Sequence, residues 1–178
     1  MTRRLNWGCG PITPYGWVNS DIVAHPGVNV VADIQKGLPL ADGEFDYVVS
    51  IHALPEIPFR GQAQVLAELR RVLRPGGVLR LGLPDMDKAI RAYTAKDVDY
   101  FLIPDEHAES LAGKMIAQLT WYGVSRCMFT VEFAGELLSR AGFRLIVPCR
   151  FRQTASEFPG IVELDDRELE SFFIEAIK

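Results

Sequence analysis

Residues 45–51, FDYVVSI, and the stretch that follows them constrain the fold more than any other part of the chain. The run reads as a strand buried on both faces, the kind found inside parallel sheets. At about 61–73, Leu66, Leu69 and Leu73, flanked by Val65 and Val72, form one apolar stripe at helical spacing. RPGG at 74–77 stops that helix, since Pro75 cannot continue it and Gly76 and Gly77 tolerate a turn. VLRLGLP at 78–84 is the next strand. Strand, helix and strand in that order imply a parallel pair with a helix packed across it.

Upstream, strands are expected at 4–7, 17–22 and 28–32, with no room for full helices between them. Downstream, residues 86–127 carry helical periodicity, a break near Pro104 and many aromatics, and are expected to form a helical insertion or lid after the fifth strand. A helix is expected from Thr130 as N-cap, with Phe133, Leu137 and Leu138 on one face and AGF at 141–143 ending it. FRLIVPCRF (143–151) and ESFFIEAI (170–177) are two closing strands joined by a loop containing Pro159 and Gly160, an antiparallel addition to a parallel sheet. The expectation is therefore one α/β domain over residues 1–178: a Rossmann-like three-layer αβα sandwich on a seven-stranded, mostly parallel sheet with an antiparallel C-terminal strand and reduced N-terminal helices.

The first strand runs into a Gly-Cys-Gly turn, LNWGCGPITPYGWVNSDIV at 5–23. A dinucleotide fingerprint needs a third glycine and a helix N-terminus for the pyrophosphate. Counted from Gly8, the third position is Thr13, and Pro11 removes a backbone N–H where phosphate oxygens would look for donors. The turn suits a nucleoside ligand without phosphates. Asp21 and Asp33 fall near the ends of the second and third strands, on the carboxyl edge where such sheets bind ligands. One carboxylate there can accept both hydrogen bonds of a ribose diol and the other an adenine amino group; the competing reading is two solvated loop aspartates.

Composition narrows the partners. A net charge of -4 argues against neutralising nucleic-acid phosphates. The basic cluster Arg70, Arg71 and Arg74 ends a helix, where positive charge complements the dipole. No apolar run approaches the roughly 20 residues needed to span a bilayer, and the start MTRRL lacks a secretion signal. A cytoplasmic protein without nucleic-acid or membrane partners is expected. Cys9, Cys127 and Cys149 are odd in number and widely spaced, which indicates neither disulfides nor a metal site and fits small buried hydrophobes.

LNWGCG (5–10), GWVNSDI (16–22), ADIQKGLPLADGEFDYVVSIHALPEI (32–57), LAELRRVLRPGGVLRLGLPD (66–85), FAGELLSRAGF (133–143) and ESFFIEAIK (170–178) together resemble the class I S-adenosylmethionine-dependent methyltransferases, especially the short type 11-like ones. The resemblance covers nearly the whole chain. It implies S-adenosylmethionine as cofactor, S-adenosylhomocysteine as product, and methyl transfer to a small-molecule acceptor, such as a hydroxyl of a sugar or metabolite. Carried across, it places Gly8, Cys9 and Gly10 under the methionine and ribose, Asp21 and Ile22 at the ribose, Asp33 and Ile34 at the adenine, and Ser50, Ile51 and His52 at the sulfonium end. Asn6 stands where many such enzymes carry an acidic residue for the cofactor ammonium, and HALPEI puts Glu56 in place of a second histidine.

Methyl transfer asks a protein to exclude water, align the acceptor and, for a hydroxyl, remove its proton. His52 is the candidate base, with a pocket-lining role as its alternative; Asp85 is a second candidate or the N-cap of a helix from Met86. Tyr93, Tyr100, Phe101, Trp121 and Tyr122 could wall an acceptor or pack the insertion, and Arg126 could reach the acceptor side. Glu56 reads as a cap or solvent-facing residue, His107 as the start of an exposed helix and His25 as a loop residue. The competing function is a degenerate relative that binds cofactor or a protein partner without methyl transfer. It rests on the missing helices, because an uncovered sheet face invites a partner, a homodimer included.

Overall fold

The computed structural model describes residues 2–178. Seven strands make one sheet in the order β3-β2-β1-β4-β5-β7-β6. They are β1 (Arg4–Trp7), β2 (Val18–Asp21), β3 (Val30–Val31), β4 (Phe45–Ile51), β5 (Leu73–Pro84), β6 (Arg144–Cys149) and β7 (Ser171–Ile177). Pairs from β3 to β5 are parallel, and β7 runs antiparallel between β5 and β6. This is the Rossmann-like α/β sheet with an antiparallel C-terminal strand that the sequence implies.

Two boundaries differ from expectation for local reasons. β3 covers two residues instead of 28–32. The Asn29 side chain there accepts the Asn19 N–H at 2.8 Å, so a side chain replaces the first rung of the ladder. β5 begins at Leu73 and not at Val78. Leu73 already pairs with Phe45, the register shifts, and pairing resumes at Val78 opposite Tyr47. RPGG is thus an irregular start to the strand. A Cβ at Gly77 would lie 2.9 Å from the Arg74 carbonyl oxygen and 3.0 Å from that of Asp46, so only glycine lets the backbones approach this closely.

One face of the sheet carries α1 (Gln62–Val72) and α4 (Val131–Arg140). Val65, Leu66, Leu69 and Val72 of α1, with Ala134 and Leu138 of α4, bury Leu5, Val48, Leu79 and Leu81 in the main core. α4 starts as expected, the Thr130 hydroxyl accepting the Phe133 N–H at 3.2 Å.

The opposite face departs from a helical layer. No helix joins β1 to β2 or β2 to β3. The segment between β6 and β7 covers this face instead, with Ile161, Phe158, Val162 and Leu164 packed on Trp17, Tyr47, Val49 and Val78. The uncovered face expected from the sequence is therefore closed by the chain itself. Arg80, fully buried in β5, fastens the cover: it donates to Asp165 at 2.5 and 2.7 Å, to Glu175 at 2.7 Å and to the Gln153 carbonyl at 3.1 Å.

After β5 come α2 (Met86–Ala95) and α3 (Leu111–Thr120), joined by a non-helical stretch. Ala89, Ala92, Tyr100 and Phe101 form a small core of their own beside the carboxyl ends of the strands. Of the cysteines, Cys9 and Cys127 are buried, Cys149 is partly exposed, and all three are free.

Candidate active site

The parallel strands end on one edge, and the loops leaving β1, β2, β3 and β4 enclose a cavity of about 660 Å³ there. Each loop has a physical reason for its path. Gly8 and Gly10 both take positive φ, +67° and +50°, which lets the chain fold back over β2. The N–H groups of Gly8 and Cys9 donate to the Ser20 carbonyl at 2.8 and 3.1 Å. A Cβ on Gly8 would lie 2.1 Å from that of Ala53, whereas one on Gly10 would meet nothing within 4 Å. Gly8 is thus a packing requirement between two loops, and Gly10 leaves open space beside the cavity.

Asp21 braces the same turn. Its Oδ2 accepts the Gly10 N–H at 2.8 Å and its Oδ1 the Val23 N–H at 2.9 Å, so each oxygen keeps one lone pair for a ligand hydroxyl. Asn6 is buried and donates to the Ile12 carbonyl at 2.8 Å and to Asn19 Oδ1 at 3.2 Å, which makes it a strut of the glycine loop as well as a wall of the cavity. Asp33 caps a single 3-10 turn at Ile34–Lys36, its Oδ1 accepting the Gln35 N–H at 3.0 Å. Cys9 is buried, and burial with the nearby Asp21 carboxylate pushes its thiol up to about 11, so it stays protonated.

Ten of the residues the resemblance selects line this cavity: Asn6, Gly8, Cys9, Gly10, Asp21, Ile22, Asp33, Ile34, Ile51 and His52. Ser50 does not. It lies on the same side of β4 as Val48, under the α1 layer, with its hydroxyl buried and unpaired among the described residues.

A second chamber of about 90 Å³ adjoins the first, lined by residues that include Pro84, Asp85, Tyr100, Gln118, Trp121 and Glu170. His52, Glu56 and Arg167 line both spaces and form the partition. His52 takes φ +58° at the end of β4, which turns its ring toward β7, where Nε2 meets the Ser171 hydroxyl at 2.7 Å. Burial and the Arg167 guanidinium lower the imidazole to about 3, so it is neutral near pH 7 and too weak a base to keep an abstracted proton. Glu56 is exposed, as expected from the sequence; partial desolvation, with Asp21 adding to it and Arg126 opposing, raises its carboxyl.

Asp85 is the N-cap that the second of its two sequence readings expects. It caps α2, Oδ1 accepting the Lys88 N–H at 3.0 Å, and it lines the smaller chamber. Among the aromatics of the insertion, Tyr100 and Trp121 reach the chamber. Phe101 packs in the small core, Tyr122 bonds His107 Nδ1 at 2.8 Å, and Tyr93 is exposed. Arg126 lines the larger cavity, its backbone N–H held by the Pro55 carbonyl. Sequence reasoning missed Arg167 and Glu170 because they sit in a non-periodic connection, 115 and 118 residues beyond His52 in the chain.

Comparison with known proteins agrees with this fold. Residues 18–81 match the family described as the methyltransferase domain. An uncharacterized 37.1 kDa protein in transposon TN4556 of Streptomyces fradiae is 35% identical over 103 residues, covering 53% of this chain and 28% of that protein. The chain thus spans less than a third of that relative. A SAM-dependent methyltransferase from Thermotoga maritima superposes with a TM-score of 0.62 at 20% identity, covering 100% of this chain and 83% of that one. The 1,6-didemethyltoxoflavin-N1-methyltransferase of Burkholderia thailandensis, solved with bound 1,6-didemethyltoxoflavin and S-adenosylhomocysteine, gives a TM-score of 0.60 at 15% identity over 98% of this chain and 70% of that one. The chain is built on the fold of the class I S-adenosylmethionine-dependent methyltransferases, and its residues 18–81 match their methyltransferase domain.

Proposed function

We propose that this protein binds S-adenosylmethionine in the larger cavity and transfers its methyl group to a small molecule held in the smaller chamber. The observation that carries the reading is the pair of spaces at the carboxyl edge that share His52, Glu56 and Arg167 in their walls. The donor set fits an adenosyl ligand: free lone pairs on Asp21 for a diol, Asp33 and Ile34 at the far wall for a base, and an unobstructed backbone at Gly10. When bound there, the sulfonium of S-adenosylmethionine would supply an electrophilic methyl group to an acceptor lone pair.

The chain's own residues have three tasks. The glycine loop and Asp21 hold the nucleoside. Residues 86–127 form a lid that excludes water from the chamber, with Tyr100 and Trp121 as its walls. Neutral His52 orients groups at the partition through its Ser171 hydrogen bond, and Glu56 is placed to take a proton. The alternative of a degenerate binding protein rested on an uncovered sheet face, and the segment between β6 and β7 covers that face.

Calorimetric titration with S-adenosylhomocysteine, with NAD as control, tests the reading. Binding of the adenosyl compound alone is expected. Asp21→Asn keeps one acceptor oxygen for two N–H groups, so it should weaken that binding by about 10- to 100-fold. Equal affinity for NAD, or an unaffected Asp21→Asn variant, would overturn the assignment.

A further inference from the structure

The smaller chamber has a charge pattern that a neutral sugar or alcohol does not call for. Asp85 is 6% exposed and Glu170 8%, and both line it. Asp85 Oδ1 is used by the α2 cap, while Oδ2 receives no hydrogen bond among the described residues. The Glu170 carboxylate receives no hydrogen bond from another residue among the described residues; its cations are Arg167, at an ion-pair distance of 3.8 Å, and Lys88. Tyr100, 8% exposed, also lines the chamber, and its hydroxyl has no hydrogen-bond partner among the described residues. Among the described residues Arg167 is the one cation lining the chamber, and its guanidinium is drawn aside over the Trp121 ring, 5.5 Å from its centroid, while Glu56 is exposed and lines the side shared with the larger cavity. Asp85 and Glu170, two carboxylates more than nine-tenths buried, thus line a chamber whose own cation is loosely held, and a bound cation would complete their pairing.

The geometry points to an amine acceptor: the methyl acceptor of this site is a small primary or secondary amine, bound as its ammonium ion by Glu170 and Asp85 between the rings of Tyr100 and Trp121. The assignment rests on the methyltransferase reading above. The aromatic walls suit a cation as well as a flat body. An ammonium must shed one proton before its nitrogen lone pair can form the new N–C bond, while the S–C bond breaks and its electron pair stays on sulfur. Glu56, facing both spaces, accepts that proton and returns it to water in the larger cavity. The products are a protonated methylamine and a neutral thioether, so charge and atoms balance.

Matched ligands of nearly equal shape test the idea on the wild-type protein saturated with S-adenosylhomocysteine: 2-phenylethylamine, 2-phenylethanol and phenylacetate, then butylamine against butanol and cyclohexylamine against cyclohexanol. Calorimetry should show at least one amine binding about tenfold or more tightly than its alcohol, and no binding of the carboxylate. Glu170→Gln should erase that preference and leave S-adenosylhomocysteine affinity unchanged. An alcohol binding as tightly as its amine in every pair, no amine binding, or a preference that survives Glu170→Gln would overturn the proposal. The first titration keeps the two readings apart: failure of S-adenosylhomocysteine to bind rejects the cofactor assignment, whereas its binding without amine preference rejects only the acceptor class.

Discussion

Gly8 and Gly10 share a turn and a positive φ, yet they answer to different constraints. A methyl group on Gly8 collides with Ala53 at 2.1 Å, so Gly8→Ala combines left-handed strain with overpacking and should cost about 2–5 kcal/mol in urea unfolding. Gly10→Ala meets no protein atom and should cost about 1–2 kcal/mol, while its methyl enters the cavity and weakens S-adenosylhomocysteine binding. Equal stability losses at the two sites would contradict this division. His52 offers a second test. Its imidazole is lowered from 6.5 to about 3 in the fold, so between those values the unfolded chain binds the extra proton. The contribution is complete above pH 6.5 and is lost as pH falls toward 3, at up to about 1.4 kcal/mol per pH unit. His52→Asn, a residue that tolerates the φ of +58°, should flatten the curve of stability against pH in that window relative to wild type. Glu56 and Glu170 shift the other way and are common to both proteins, so the difference isolates the imidazole.

At the scale of elements, the region from Pro84 to Ser125 depends on a few polar ties. Lys114 of α3, 8% exposed, donates to the Ile103 carbonyl at 2.5 Å and pairs with Asp105 at 2.7 Å, holding the stretch between α2 and α3 against the helix. Lys114→Met should raise hydrogen exchange at residues 101–110 by about tenfold, the equivalent of about 1.4 kcal/mol, with S-adenosylhomocysteine affinity unchanged. Unaltered exchange would show that apolar packing of Phe101 alone suffices. The helices were legible in the sequence because a stripe such as Val65, Leu66, Leu69 and Val72 reports its own burial, and because a cap such as Thr130 or Asp85 lies within three residues of the N–H it serves. The strand boundaries were less so. The early start of β5 depends on Phe45 pairing across the sheet, and β3 is shortened by one asparagine side chain. The walls of the larger cavity on β1 to β4 follow from strand ends and turn residues and could be named in advance. Arg167 and Glu170 could not, since nothing periodic announces where a long connection will cross the sheet edge.

For the whole molecule, the decisive contact is between Arg80 and the segment that replaces a helical layer. In VLRLGLP the arginine breaks an apolar strand and would be taken for an outward-facing residue, but it has no exposure at all. Asp165 and Glu175, 85 and 95 residues away, neutralise it, and the Phe173 ring lies under its guanidinium at 5.1 Å. The same Asp165 carboxylate accepts the Arg152 N–H at 2.8 Å, and Glu175 that of Ala155 at 3.0 Å, so the group holds both ends of the β6–β7 connection against the sheet. Two buried anions are then left without a cation in Arg80→Met. That variant should lose about 3–5 kcal/mol of stability, more than most single large-to-small core changes on the opposite face. Arg167 and Glu170 belong to the connection this network anchors, so whatever protein survives should lose ligand binding in the smaller chamber before it loses binding in the larger cavity. The double change Arg80→Met with Asp165→Leu removes one of the stranded charges and should recover part of the stability; a double variant no more stable than Arg80→Met would show that shape, and not charge, holds the cover in place.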